Sequence, residues 1–208
     1  MDGELSPLRV VIERFATSEA SVDPSTGALR LSHRPKVGTE AYACVLYPGV
    51  SADVIEQYES VHRSRLADYL SIPPFYRRSL ARMNGGFIFG TSLFGIPQSM
   101  AQNPPLLNRS VQQPLDVCTA NEHWRVEYGA SRSSFYIASG SYSSTENIGY
   151  FLTPDTQIEG YLKGGKKTGQ WETFGRFLAA EIQRAESRFS EFEEMMASIR
   201  SSKPKRKR

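Results

Sequence analysis

Residues 160–168, Gly-Tyr-Leu-Lys-Gly-Gly-Lys-Lys-Thr, come nearest to a catalytic motif in this 208-residue chain. Their spacing resembles the phosphate loop GxxxxGK[ST], but Lys167 stands where the hydroxyl residue belongs and Thr168 comes one position late. A phosphate loop must also follow a strand and open a helix whose amides face the phosphates. Here Gly160 falls inside a strand pattern, so the segment reads as a hairpin or strand-to-helix turn. His33, His62 and His123 are scattered, and without an HExxH pair they predict no zinc site. His62 and His123 read as surface or interface histidines. Gly140-Ser141-Tyr142-Ser143-Ser144 lacks the second glycine of a nucleophile elbow and reads as a polar turn. Asp155 and Glu159 flank one strand, and Asp116 and Glu122 lie in or near a helix; both pairs read as solvated carboxylates. These residue types predict no enzyme, no metal and no cofactor.

The formal charge of +3 is set by the last eight residues, SSKPKRKR, which carry five Lys or Arg. The remainder has 20 basic against 22 acidic residues. A near-neutral body argues against a dedicated nucleic-acid face, and any attraction to nucleic acid would be weak and run through the tail. No apolar run approaches the roughly 20 residues of a membrane span. The start, MDGELSPLRV, lacks the basic and apolar regions of a signal peptide. Cys44 and Cys118 lack zinc-site spacing and suit a reducing cytoplasm; a disulfide between them is left open.

The elements follow from periodicity. Residues 8–47 read as an N-terminal β hairpin or meander: Val10-Val11-Ile12 is β-branched, Asp23-Pro24-Ser25-Thr26-Gly27 is a turn, and Leu29/Leu31 and 42–47 are strand patterns. Asp53 is placed to cap a helix, with Glu56 completing a capping box. Val54, Tyr58, Val61, Leu66, Tyr69 and Leu70 form its stripe. Pro73 and Pro74 open a second helix, with Tyr76, Leu80 and Met83 on one face. Asn84-Gly85-Gly86 reads as its C-terminal cap before a buried Phe87-Ile88-Phe89 strand. A Gly/Pro-rich loop follows over 90–114, with a short strand near Leu93-Phe94. Val117, Ala120, Trp124 and Tyr128 then share a helical stripe ending at Gly129. Strands are predicted at 135–138, 148–152 and 157–162, and a last helix carries Phe174, Phe177, Leu178, Ile182, Ala185, Phe189 and Phe192. Partly segregated helices and short-linked strands predict an α+β fold, a largely antiparallel sheet with helices packed on it. Residues 1–48 read as a β extension packed on a main domain of 49–196, and 197–208 as a disordered basic tail.

The order Pro73-Pro74-x-Tyr76, Leu80 and Asn84-Gly85-Gly86 resembles the core signature of the SMI1/KNR4 (SUKH) superfamily. An upstream Glu56 or Glu59, Trp124, Gly149-Tyr150-Phe151 and Trp171-x-x-Phe174-x-x-Phe177-Leu178 on the closing helix fit the same pattern. Ile72-Pro73-Pro74 departs conservatively from the family's usual Leu-Pro. The resemblance implies a sheet with helices packed on it and, for most members, a bacterial immunity protein that occludes a cognate toxin, often a nuclease. It also implies an alternative, a regulatory interaction module like the fungal cell-wall-synthesis regulators. The partner expected on either reading is a protein. The expected contact face is Tyr142, Glu146, Asp155 and Glu159 with Arg109 from the long loop, since Tyr anchors an interface at little entropic cost. A third reading is an enzyme using 96–114 as a lid.

Overall fold

The computed structural model describes residues 3–16, 20–34, 41–62, 71–97 and 113–202. Arg109, the stripe positions Leu66, Tyr69 and Leu70, most of the Pro-rich loop and the basic residues from Lys203 onward lie outside the described residues. The fold is α+β. Among the described residues nine strands form one sheet in chain order, every neighbouring pair antiparallel: β1 (Ser21–Val22), β2 (Leu29–His33), β3 (Tyr42–Pro48), β4 (Met83–Ile88), β5 (Thr91–Leu93), β6 (Phe135–Ser141), β7 (Asn147–Leu152), β8 (Ile158–Leu162) and β9 (Lys167–Trp171). Helices are α1 (Ser6–Phe15), α2 (Ala52–His62), α3 (Pro74–Arg82), α4 (Val117–Thr119) and α5 (Phe174–Ser202). From α4 the chain continues through a π turn (Ala120–Trp124) and a 3-10 turn (Arg125–Tyr128).

The N-terminus corrects the expectation of a hairpin from residue 8. Residues 6–15 are helical because Leu5, Leu8, Ile12 and Phe15 recur at helical spacing, and that outweighs three adjacent β-branched residues. Pro7 sits in the first turn, Arg9 bonds Glu13 one turn on at 2.6 Å, and Val10 points away from the core at 63% exposure. The β-structure begins only at β1.

The β1–β2 turn is built as the Asp-Pro-Ser-Thr-Gly pattern predicts. Asp23 Oδ1 accepts from Ser25 N (2.9 Å), Ser25 Oγ (2.5 Å) and Thr26 N (2.9 Å), and Arg30 pairs with the other oxygen. The Ser25 hydroxyl, against the cost of burial and with help from the two amides, holds the carboxyl down at about 2. Below its ordinary value of 3.8 the unfolded chain takes up a proton that the folded chain refuses, so stability falls with pH until about 2, where both forms are protonated. The native protein should therefore exceed Asp23→Asn in stability by a constant margin near neutrality, and the margin should close between about pH 4 and pH 2. Urea melts of both proteins across that range measure this, and a margin independent of pH would refute it.

Two further corrections concern α2 and α3. Ser51, not Asp53, caps α2: its Oγ accepts from Val54 N and its carbonyl from Ile55 N. The inward face is Ile55, Tyr58, Glu59 and His62, while Val61 is exposed. His62 is thus buried against the Tyr58 ring, 4.6 Å between centroids, rather than on the surface. Glu59 accepts from Ile72 N at 3.0 Å and Arg77 Nε at 3.1 Å, tying α2 to the start of α3. Pro73 and Pro74 seat α3 as expected, and Tyr76 and Leu80 are buried. The Tyr76 hydroxyl donates toward the carbonyls of Phe94 (2.7 Å) and Ile137 (3.1 Å), and burial pushes its pKa well above the usual range.

Asn84-Gly85-Gly86 does not cap α3. Met83 is already extended, with φ −150° and ψ 116°, and all three residues lie in β4. Asn84 and Gly85 together face the single residue Tyr47, a bulge that places Gly85 at φ +74°. The Asn84 side chain runs back to the backbone beyond β5: Nδ2 donates to Ile96 O and Oδ1 accepts from Ile96 N, both at 2.7 Å. A side chain on Gly95 would fall on the Asn84 carbonyl, so this approach requires glycine.

One core runs from Leu5 to Ala185. On one face of the sheet α5 packs Phe174, Phe177, Leu178 and Ala185, with α1 beside it and Phe75 of α3 against Phe174. On the other face Tyr128, Tyr136, Phe151 and Phe94 pack beneath the π and 3-10 turns. Trp171 belongs to β9 rather than to the closing helix, its ring set against Tyr150 and Phe177. The Gly-rich segment 163–166 is the β8–β9 hairpin turn, with Gly164 and Gly165 at φ +87° and +91°. It leads into a strand, which leaves no helix N-terminus for a phosphate. Cys44 and Cys118 are free thiols, both buried, and burial pushes the Cys44 thiol up to about 12.

Candidate functional site

The β6–β7 hairpin carries the exposed tyrosine that the sequence singles out. Tyr142 N and Ser143 N donate to the Glu146 carbonyl at 2.8 and 3.1 Å, and Ser143 Oγ accepts from Thr145 N and Glu146 N. This small loop is closed on itself, as its Ser-rich composition favours. The Tyr142 ring is 39% exposed and lies 5.8 Å from the Arg184 guanidinium. Arg184 donates through Nη1 to Ser141 O at 2.7 Å and through Nε and Nη2 to Glu181 at 2.8 and 2.6 Å. Glu181 is buried and also accepts from Thr91 Oγ1 at 2.5 Å and from the Tyr150 hydroxyl. Burial and the Glu181 charge push the Tyr150 phenol well above its usual range. An arginine fixed at one end in the core thus supports the backbone and the ring of the hairpin tip.

The predicted contact residues divide between two ends of the sheet. Tyr142 and Glu146 share the hairpin. Asp155 lies in the β7–β8 turn at the far end of β7, six residues or about 20 Å away. Glu159 is on β8 and is already engaged, accepting from Lys167 Nζ at 2.5 Å and the Tyr161 hydroxyl at 2.8 Å. Burial opposes its charge, but those two bonds outweigh it and hold the carboxyl below its ordinary range. Arg109 is outside the described residues. Of the residues expected to act structurally, Glu59, Tyr76 and Asn84 each make the inter-element bonds given above, and Trp124 is partly exposed with its ring 6.2 Å from Phe94.

The sheet register reveals a hollow that the sequence did not single out. Ser92 pairs with Ser139 across β5–β6, and Ser139 pairs with Gly149 across β6–β7. These small residues lie on the face away from α5. Tyr128 fills the place above Gly149, where an added side chain would meet its ring at 3.0 Å. Ser92 and Ser139 stay open, between Tyr128 on one side and Phe87, Tyr42 and Tyr47 on the other. Two shallow cavities, of about 290 and 200 Å³, share Ser92 and lead to Ser141 and Asn147 at the base of the Tyr142 hairpin.

No protein-family model matches the chain, and no curated protein matches it. Among the described residues no group of three or more His, Cys, Asp or Glu is arranged to hold a metal, and no helix is long and apolar enough to cross a membrane.

The other polar cluster is built for structure. The Tyr58 hydroxyl donates to Asp116 and accepts from Cys118 N at 3.0 Å, while Asp116 caps α4 through Cys118 N at 2.8 Å. Burial first, then the Asp116 charge, push the Tyr58 phenol far above its usual range. The hydroxyl stays protonated and joins α2 to α4. The Tyr142 ring lies on the α5 side of the sheet and the serine-floored hollow on the other side; the ring supplies contact area for another protein, and the hollow supplies serine hydroxyls.

Proposed function

We propose that this chain is a non-enzymatic protein-binding domain that neutralises a toxin by covering its active site. The observation that carries this reading is the preorganised Tyr142. Its ring, hairpin backbone and supporting Arg184 are held through Glu181 before any partner arrives, so little ordering entropy is lost on binding. Glu146 beside it offers a carboxylate to a basic toxin face, which speeds encounter. The resemblance to the SMI1/KNR4 superfamily supports the same reading.

Co-expression with the products of neighbouring genes, followed by affinity capture and mass spectrometry, tests the proposal. The expected product is a stoichiometric complex in which toxin activity is abolished. In that complex Tyr142→Ala should weaken binding by about 30-fold, the effect of losing roughly 2 kcal/mol at an aromatic hot spot, while leaving the melting temperature of the free protein nearly unchanged. Glu146→Lys should slow association more than it speeds dissociation. Capture of signalling or cell-wall-synthesis proteins would replace this reading with the regulatory one. Absence of any stoichiometric partner, or a complex indifferent to Tyr142, would refute both.

A further inference from the structure

On the face of the sheet turned away from α5, Phe87, Ser92, Ser139 and Gly149 form a row, each paired with the next across β4 to β7. Tyr128 covers Gly149, and half-buried Phe87 stands at the other end. The two serines therefore floor a gap between strands that lie roughly 14 Å apart, three strand spacings. Ser141 and Asn147, paired with each other two residues further along β6 and β7, lie on the same face. None of the described residues lining the two cavities over this row is charged. Among the described residues the side chains of Ser92, Ser141 and Asn147 have no hydrogen-bond partner, while Ser139 lies beside the Tyr136 hydroxyl.

We propose that this hollow binds a neutral saccharide of two or more rings. A hydroxyl and a primary amide each both donate and accept, and so do the hydroxyls of a sugar. An anion uses only donors and a cation only acceptors, and either would give up hydration with no opposite charge to meet it. A peptide finds no free ladder to join, since β4 to β7 are each paired on both sides. One sugar ring lies with its C–H face on Phe87, whose negative ring face suits it, and bonds Ser92. The next ring reaches Ser141 and Asn147, because the row is too long for one ring to touch both ends. This site is independent of the Tyr142 reading: that ring lies on the opposite side of the sheet.

The test titrates the full chain at millimolar sugar with maltose, cellobiose, lactose and N,N′-diacetylchitobiose, read by calorimetry and by amide NMR shifts. One or more of these disaccharides should bind and shift the Asn147 side-chain amide and the backbone amides of Ser92 and Ser139. The monosaccharide of the best binder should bind at least about 10-fold more weakly, since it reaches one end only. A heparin disaccharide, which is anionic, and the deacetylated, cationic form of chitobiose should bind at least about 5-fold more weakly than that neutral binder. Asn147→Leu should weaken it by about 5-fold, the loss of a neutral hydrogen bond. Ser92→Phe, which fills the gap, should abolish binding; Ser141→Phe, at an exposed position, serves the same end should Ser92→Phe fail to fold. Binding by none of the four disaccharides, equal or tighter binding of a charged one, or unchanged affinity in Asn147→Leu and in the filled variant would overturn the proposal.

Discussion

Glu181→Ala should destabilise the protein by about 3–5 kcal/mol, because it strips the common acceptor from a buried network and leaves the donors behind. The carboxylate takes bonds from Thr91, Tyr150 and two nitrogens of Arg184. Thr91 and Tyr150 are buried, so in the variant two hydroxyls lose their partner away from water. Arg184 would keep only the Ser141 carbonyl among these bonds, with three-quarters of its side chain still covered. For a chain of this length each kcal/mol is worth about 2–4 °C in melting temperature, so a drop of roughly 10 °C is expected. Double replacement Glu181→Leu with Arg184→Met should cost less than the sum of the single changes, since removing both charges leaves neither one unpaired. Thermal and urea unfolding of the three variants measures this. A loss below about 1 kcal/mol in Glu181→Ala would show that the network contributes little beyond packing. The same variant reaches the surface: without Glu181, Arg184 is no longer anchored behind its bond to Ser141 O, and amide exchange at 141–146 should quicken.

The Glu181 network shows where reading the sequence reached its limit. Phe174, Phe177, Leu178 and Ala185 of the predicted stripe are buried, Ile182 and Phe189 are half-buried against the same core, and the side chain of Phe192 lies outside the described residues. Glu181 sits within that stripe, but as a single charged residue it gives no sign of inward orientation. Its partners Thr91 and Tyr150 are 90 and 31 residues away in sequence. Only the strand register brings them together. The β-structure of 29–33 and 42–48, the meander from Phe135 and the α+β class are local patterns and were readable. β9 was not: Lys-Thr-Gly-Gln-Trp has a weak alternation, and its strand is imposed by pairing with β8. The N-terminal helix is hidden for the opposite reason, since a run of three β-branched residues masks a longer helical period.

For the candidate surface the same division holds. Tyr142 and Glu146 could be picked from composition because a Ser/Gly-rich turn has to be exposed, and the hairpin brings them together. Asp155 and Glu159 are near each other in sequence, yet a strand carries them from the hairpin end to the far end. Ser92 and Ser139 could not be chosen at all. Each is an ordinary strand serine until Thr91-Ser92-Leu93 is laid against Ala138-Ser139-Gly140, and the β6 bulge at Ile137 shifts the alternation so that Tyr136 and Ser139 share a face. A bulge of one residue inverts every later inside–outside assignment on its strand, and nothing in the local sequence announces it.

Asn84→Leu should cost about 3 kcal/mol despite preserving size, since it leaves Ile96 N–H and C=O without their partner in a buried position. Asn84→Asp separates hydrogen bonding from packing. An ionised aspartate still accepts from Ile96 N but turns an oxygen toward the Ile96 carbonyl, where the asparagine had an NH2 group. A protonated aspartate can donate there and restore the bond. The buried carboxyl therefore favours its protonated form, and its folded pKa rises above the unfolded value of about 3.9. Stability of Asn84→Asp is then greatest below that value and is lost as the pH rises through the folded pKa. At pH 7 this variant should be less stable than Asn84→Leu, and at pH 4 it should approach the native protein. Asn121 supplies an internal check. Its Oδ1 accepts from Tyr136 N at 2.8 Å and its Nδ2 donates to Tyr136 O at 2.8 Å, a like clamp on a second strand, with one further bond from Nδ2 to Val117 O at 2.9 Å. Asn121→Asp should show the same pH slope. Urea melts at the two pH values decide the matter: a penalty in Asn84→Asp that does not change between them would mean that Asn84 acts by filling space, and that the close approach of Gly95 alone holds the chain after β5 against β4.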